Sequence, residues 1–241
     1  MVGTGKELSR PGDPLETETD FEFASALLRR IRNGYDSFII RSYVWARFVI
    51  IHIDILDLMD RLVPKQGKIL DMGCGFGLFS LFLAARSPRR TIHGVDISAR
   101  RIEAARRAAG RLGLKNVEFE IADIREYAVQ GDWDGVFTLD LLHHVSPRSR
   151  LEFLQAAKDH LNPDGVLIIK DVSTRPWRQM AFTWILDQLV TGPCRVWYQH
   201  HDDQAAELKR LGFETEFRRL SDRLPYPHVV FRCQPKETRR S

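Results

Sequence analysis

Two rhythms of hydrophobic and polar positions divide the chain. Residues 21–32 predict a short helix that ends near Asn33-Gly34, and residues 43–62 a longer one stopped by Pro64. On the second, Arg47, Asp54, Asp57 and Arg61 share one face. Trp45, Phe48, Ile55, Leu56, Met59 and Leu62 take the broad opposite side, and His52 falls among them as a core histidine. From Lys68 onward short apolar runs alternate with helical patterns. Strands are predicted at 68–72, 91–95, 117–122, 133–139 and 166–172, with helices at 78–86, 98–112 and 149–161. That alternation argues for a parallel sheet with helices on both faces. An Asn162-Pro163-Asp164-Gly165 turn is expected to close the last of these helices. The rhythm then changes: an aromatic helix at 177–190, a helix at 202–211 with an acidic start, and two strands at 213–220 and 228–233 that suggest a hairpin at the sheet edge.

The chain's 241 residues suit one sizeable α/β domain, and 44% apolar with 28% charged content is ordinary for a globular protein. The formal charge of +4 is compatible with an anionic ligand, a nucleic acid or an anionic membrane surface. Its basic pairs, Arg29-Arg30, Arg89-Arg90, Arg106-Arg107, Arg218-Arg219 and Arg239-Arg240, are scattered, which reads as solvated helix faces and strand ends. Cys74, Cys194 and Cys233 form no CxxC pair, so neither a disulfide framework nor a zinc site is expected, and a reducing cytoplasm fits. Residues 1–20 read as a disordered lead-in, 21–64 as a helical cap, 65–235 as the main α/β domain with an insertion near 174–201, and 236–241 as a tail. Charges interrupt the most apolar stretch, 44–63, so no transmembrane segment is expected there.

The strongest chemical signal is Ile69-Leu70-Asp71-Met72-Gly73-Cys74-Gly75-Phe76-Gly77, a strand running into a G-x-G-x-G loop that opens a helix. Glycines there admit a ligand close to the backbone. The spacing differs from the dinucleotide G-x-G-x-x-G form, and Asp71 at the strand end would repel a pyrophosphate. It suits a ligand carrying an amino group and a sulfonium.

These motifs resemble the class I S-adenosylmethionine-dependent methyltransferases over about Lys68 to Val172. The resemblance implies a Rossmann-like, doubly wound, mostly parallel seven-stranded sheet with an antiparallel last strand, and S-adenosyl-L-methionine as cofactor. It places Asp71, Gly73, Gly75 and Gly77 beside the cofactor's amino acid part and Asp96 on the ribose hydroxyls. Asp123 would meet the adenine, with Ile97 and Ile124 as apolar neighbours of the cofactor. Asp140 and the paired His143 and His144 end the fourth strand, next to the reacting methyl in the family, where a histidine would act as base or positioner. Tyr35 sits where the family often places an aromatic lid. Asp164 stands where the family's L-x-P-G-G turn has glycine.

The sulfonium activates the methyl, so the protein's main task is alignment, and the acceptor leaves little trace in sequence. No N-P-P-[YF] tetrad is present, which favours oxygen over base or glutamine nitrogen. The aromatic segments 38–62 and 177–198 suggest a cap over a hydrophobic or lipid-like small molecule, with Trp177, Trp184 and Arg178 contacting it. Peripheral membrane contact is compatible with that cap. Alternatives are an RNA methyltransferase and a catalytically silent cofactor-binding partner. The His200-His201-Asp202-Asp203 run is expected to cap a helix through an aspartate rather than bind metal.

Overall fold

In chain order the elements begin with β1 (Lys6–Glu7), α1 (Glu18–Gly34), α2 (Phe38–Leu62), β2 (Gly67–Met72) and α3 (Leu78–Arg86). β3 (Arg90–Asp96), α4 (Ala99–Leu112), β4 (Val117–Ile121) and β5 (Trp133–Leu139) follow. The chain closes with α5 (Pro147–Asp159), β6 (Leu161–Val172), α6 (His201–Arg210), β7 (Phe213–Arg219) and β8 (His228–Pro235). This computed structural model describes residues 6–7, 18–174, 195–220 and 227–236. The helix expected at 177–190, Cys194 and the side chains of Arg47, Phe48, His52 and Asp54 lie outside the described residues. Two compact units emerge, Ser9–Asp123 and Met1–Leu8 with Ile124–Ser241. The division places the expected cap, 21–64, in one unit with the glycine loop.

In the Ser9–Asp123 unit β2, β3 and β4 are parallel neighbours, with Ile69 opposite Ile92 and Ile92 opposite Val117. α3 is buried from Leu78 through Ala84, a run apolar but for Ser80. α4 buries only one stripe, Ile102, Ala105, Ala108 and Leu112, and its alanines bring it close to its neighbours. Ser98 caps its start by accepting from the Arg101 amide, and Gly113 at φ 70 ends it. α1 and α2 both run longer than predicted. Tyr35, Asp36 and Ser37 separate them, and Ile40 and Val44, four residues apart and buried, carry the apolar stripe of α2 back to its start.

The other unit has strand order β1-β7-β8-β6-β5. β5 and β6 are parallel, while β8 lies between β6 and β7 and is antiparallel to both. The last strand is therefore the reversed one, as expected. It pairs with β7 as the expected antiparallel hairpin on the outer side of β6, with only the two-residue β1 beyond β7. Within the expected disordered lead-in, Lys6–Glu7 pairs in parallel with β7. The Asn162–Gly165 turn is also corrected: β6 starts at Leu161 and runs through it. The register jumps from Trp133↔Leu161 to Gly135↔Val166, so the extra residues bulge out of the ladder. A side chain at Gly165 would come within 2.9 Å of the Asn162 and Trp133 carbonyl oxygens.

A buried charge holds the first unit together. Arg90 is 0% exposed, not the solvated strand end its sequence setting suggested. Its five N–H groups all donate: to Asp60 Oδ1 (2.6 Å) and to the carbonyls of Asp60, Val63, Pro64 and Leu83. Asp60 also accepts from Lys65 and Arg86. Burial pushes the Asp60 carboxyl upward, but hydrogen bonds and charge from Lys65 and Arg90 outweigh it and hold the group below the usual carboxylate range. Asp60→Ala leaves the guanidinium buried without its counter-charge and should destabilise the protein by about 3–5 kcal/mol. Urea unfolding at neutral pH measures it. A depressed native pKa gives stability that is present above the unfolded value and lost as pH falls through the native one. The gap between wild type and variant should therefore shrink below about pH 4.

Candidate functional site

The Ser9–Asp123 unit holds the glycine loop. β2 delivers Asp71 to its foot at 2% exposure, where Ser80 Oγ donates to its carboxylate at 2.5 Å. Burial, reinforced by the negative charge of Asp96, pushes the Asp71 carboxyl up to about 7 against the opposing Ser80 hydrogen bond. Gly73, Gly75 and Gly77 have φ of 81°, 57° and 76°, the left-handed region that side chains disfavour. At Gly77 a Cβ would also strike the Phe119 ring at 2.7 Å, while at Gly75 it would meet nothing within 4 Å. The loop is therefore packed at its base and open at its tip.

The amides of Gly73 and Cys74 donate to the Val95 carbonyl, and the Gly75 amide donates to Asp96 Oδ2 at 2.9 Å. Asp96 Oδ1 accepts from the Ser98 amide at 2.9 Å. Asp96 thus shapes the loop, and each oxygen keeps a further lone-pair direction. Beside it Ile97 is 61% exposed, an apolar side chain left for something flat to pack on. Asp123 is half-buried one residue beyond Ala122, whose amide donates to the Asp96 carbonyl. Tyr35 is buried under the loop and donates its hydroxyl to the Phe76 carbonyl at 2.8 Å, so it anchors the loop. Tyr43 packs on the Phe76 ring at 5.2 Å, and the Arg101 guanidinium lies 5.9 Å over that ring. Carboxylates, an open glycine tip and an exposed isoleucine fit a ligand with a cationic group, hydroxyls and an apolar ring. They do not fit a pyrophosphate.

The Ile124–Ser241 portion brings a second group of expected residues together, in part. Asp140 follows β5 at φ 53°, left-handed for a residue with a side chain. Its carboxylate receives the buried Lys170 ammonium at 2.7 and 2.8 Å, and its amide donates to the Lys170 carbonyl. His143 and His144 sit in a single 3-10 turn, Leu142–His144. His143 is 3% exposed, with Nδ1 against the Asp171 carboxylate and its ring stacked on Tyr198 at 5.2 Å. The Trp197 amide donates to the His143 carbonyl. His144 is half-buried, its ring centroid 4.1 Å from that of His143. Lys170, Asp171 and Tyr198 were missed from sequence. Two charges inside the apolar run 166–172 were the available signal. Ile124 is half-buried, and Trp177, Trp184 and Arg178 lie outside the described residues.

His200, not an aspartate, caps α6, accepting from the Asp202 amide at 3.3 Å. The potential ligand atoms of His200, His201 and Asp202 lie within 4.8 Å of one another. His201 Nδ1 is paired with Ser173 Oγ at 2.9 Å. Arg150 grips Glu207 through two bonds of 3.0 and 3.1 Å and pins α6 to α5. Among the described residues no helix is long and apolar enough to cross a membrane.

Residues 69–165 match the family described as "Methyltransferase domain". Among curated proteins the chain is 31% identical over 122 residues to (S)-coclaurine N-methyltransferase of Papaver somniferum, covering 50% of this chain and 34% of that protein. It is 33% identical over 116 residues to ribosomal RNA small subunit methyltransferase C of Salmonella choleraesuis, covering 46% and 33%. The aligned regions thus span about a third of these relatives. An O-methyltransferase family protein from Burkholderia thailandensis superposes with a TM-score of 0.66 at 18% identity, over 94% of this chain and 65% of that one. At that identity the likeness shows the fold, which is Rossmann-like. A glycine loop in left-handed backbone, latched by the acid at the end of β3, lies within residues 69–165, and over those residues the chain carries a methyltransferase domain.

Proposed function

We propose that this chain binds S-adenosylmethionine on the Asp71–Gly77 loop and methylates an oxygen of a hydrophobic small or lipid-like acceptor in the cytoplasm. When bound, the cofactor would supply a sulfonium methyl open to in-line displacement by an acceptor lone pair, with S-adenosylhomocysteine as the leaving group. Asp71 and the open tip at Gly75 would hold its amino acid part, Asp96 the ribose hydroxyls, and Asp123 and Ile97 the adenine. Tyr35 acts on the loop rather than on the ligand. The pairing of His143 Nδ1 with Asp171 carries the oxygen reading. A hydroxyl acceptor must lose its proton on methylation. An imidazole whose Nδ1 is held by a carboxylate is oriented to work through Nε2 and is stabilised when it takes that proton. His144, beside it and more exposed, shares the role. Trp177, Trp184 and Arg178 remain proposed acceptor contacts on the strength of their aromatic, cationic segment. Screening hydrophobic hydroxylated compounds in a coupled S-adenosylhomocysteine assay, with the methylated atom located by NMR, tests this reading. Turnover only with amines or RNA overturns it.

Asp96→Ala should weaken S-adenosylhomocysteine binding about tenfold to a few hundredfold, because it removes charge-assisted hydrogen bonds worth about 1.5–3 kcal/mol each. Calorimetric titration reads the change, with circular dichroism confirming the fold.

The pH dependence of binding follows from Asp71. Its carboxyl is raised to about 7, so the neutral acid dominates below that pH and the carboxylate above. A cationic ligand group selects the carboxylate. Affinity for S-adenosylmethionine should therefore rise with pH and level off above about 7, with up to tenfold loss per unit below. Asp71→Asn should flatten this dependence and bind at the weak, low-pH level. A wild-type affinity independent of pH from about 6 to about 8 contradicts it.

His143→Ala or Asp171→Asn should lower kcat, by about 10²–10⁴-fold for the histidine, with cofactor affinity little changed. The acid limb of the wild-type pH–rate profile should disappear in His143→Ala. Equal small effects on both parameters would mean that the pair only packs.

A further inference from the structure

α2 is apolar on two faces where one would suffice. Its inner stripe, with Ile40 and Val44 at 7% and 1% exposure, forms core. Its first turns also present Phe38 at 82%, Ile39 at 73% and Trp45 at 56% exposure, with Ser42 and Ala46 exposed between them. Positions 38, 42, 45 and 46 fall on one side of a helix, with 39 at its margin. No charged residue interrupts that side. Isolated exposed apolar side chains are common, but a clustered set of large ones marks a surface that meets something.

Beside this face is a groove of about 460 Å³ lined by Arg32, Asn33, Phe38, Arg41, Ser42 and Trp45. Arg41 is fixed there by donating to the Tyr35 carbonyl at 2.7 Å. Charge around the patch is one-sided. Residues 29–46 contain four arginines, Arg29, Arg30, Arg32 and Arg41, against one acid, Asp36, which is itself engaged by Arg107 and Arg111.

The geometry points to peripheral docking of the α1–α2 corner on an anionic lipid surface, with Phe38 and Ile39 entering the acyl boundary, Trp45 at headgroup depth, and Arg32 and Arg41 against lipid phosphates. Aromatic and aliphatic side chains beside cations form the pattern that partitions into a membrane interface. The sign of the charge selects anionic over zwitterionic lipid. A small soluble ligand in the groove would reach Phe38 and Trp45 but leave Ile39 in water. A second copy packed face to face would bring two arginine rims together in a self-complementary contact. The docking does not depend on which atom the protein methylates.

The full chain should cosediment with vesicles of phosphatidylcholine mixed with phosphatidylglycerol, remain in solution with phosphatidylcholine alone, and be released by high salt. Phe38→Ser with Ile39→Ser should weaken the partition about tenfold or more, because two apolar side chains lose their burial. Arg32→Ala should weaken it about fivefold. Both variants should keep the wild-type affinity for S-adenosylhomocysteine, which shows that they fold. The inference is overturned by equal partition of the wild type and the double variant, by no partition into the anionic vesicles, or by soluble glycerol phosphate competing as well as lipid. A self-association in sedimentation equilibrium that the double variant abolishes, without vesicle binding, also overturns it and assigns the patch to a second copy.

Discussion

The guanidinium of Arg90 has no water around it, so all its partners must come from protein. An unpaired buried cation would cost several kcal/mol, which makes the exact count of acceptors decisive. Asp60 supplies the counter-charge, and four carbonyls supply the rest. The carbonyls of Asp60 and Leu83 belong to the last turns of α2 and α3, where helices carry partial negative charge, and that of Leu83 accepts from Arg90 as well as from the Ser87 amide. One side chain therefore closes two helix ends and fixes them against the start of β3. The Gly67 amide donates to the Arg89 carbonyl next door, so the same corner sets the β2–β3 register. Five rungs along, that register brings Met72 opposite Val95, with Asp71 and Asp96 at the mouth of the loop.

Much of this could be read from the chain because it is local. Strand and helix periods from 68 to 139 depend on burial of one face or both, and the observed elements follow them closely. The left-handed glycines follow from their own lack of Cβ. What could not be read depends on partners distant in sequence. Arg90 resembles any basic pair at a strand end until Asp60, thirty residues away, is brought to it. The turn expected at Asn162–Gly165 has all the usual turn residues. Pairing of Leu161 with Trp133 before it and of Val166 with Gly135 after it nonetheless holds it within β6 as a bulge. His200 caps α6 although two aspartates follow it, because its ring nitrogen reaches the Asp202 amide.

The site residues divide in the same way. Asp71, Asp96 and the loop glycines were legible as a motif, but not the double use of Asp96, whose oxygens already bind the Gly75 and Ser98 amides. Losing this carboxylate would relax the loop as well as remove the proposed ligand contact, and even Asn, with one carbonyl acceptor, could serve only one of the two amides. Asp171 lay unnoticed inside a strand that reads as apolar. Only the fold shows that its carboxylate turns to His143 while Lys170, the next residue back, turns to Asp140. Alternation of side chains along a strand sends neighbours to opposite faces, and here each meets its own partner.

Two carboxylates near one loop are unfavourable to each other in the absence of a cation. Asp96 raises the Asp71 carboxyl, adding to the larger effect of burial. The fold tolerates this because Ser80 donates to Asp71, and because two backbone amides with Arg101 at 3.9 Å draw on the charge of Asp96. A cationic ligand relieves the repulsion that an anionic one would increase. The same glycine geometry that cradles phosphates in nucleotide-binding loops is thereby turned to the opposite charge. Selection against dinucleotides needs no steric barrier at Gly75, where the backbone is open. On the proposed assignment it resides in the electrostatics of the strand end, where a bound cation would offset part of the cost of burying the Asp71 carboxylate.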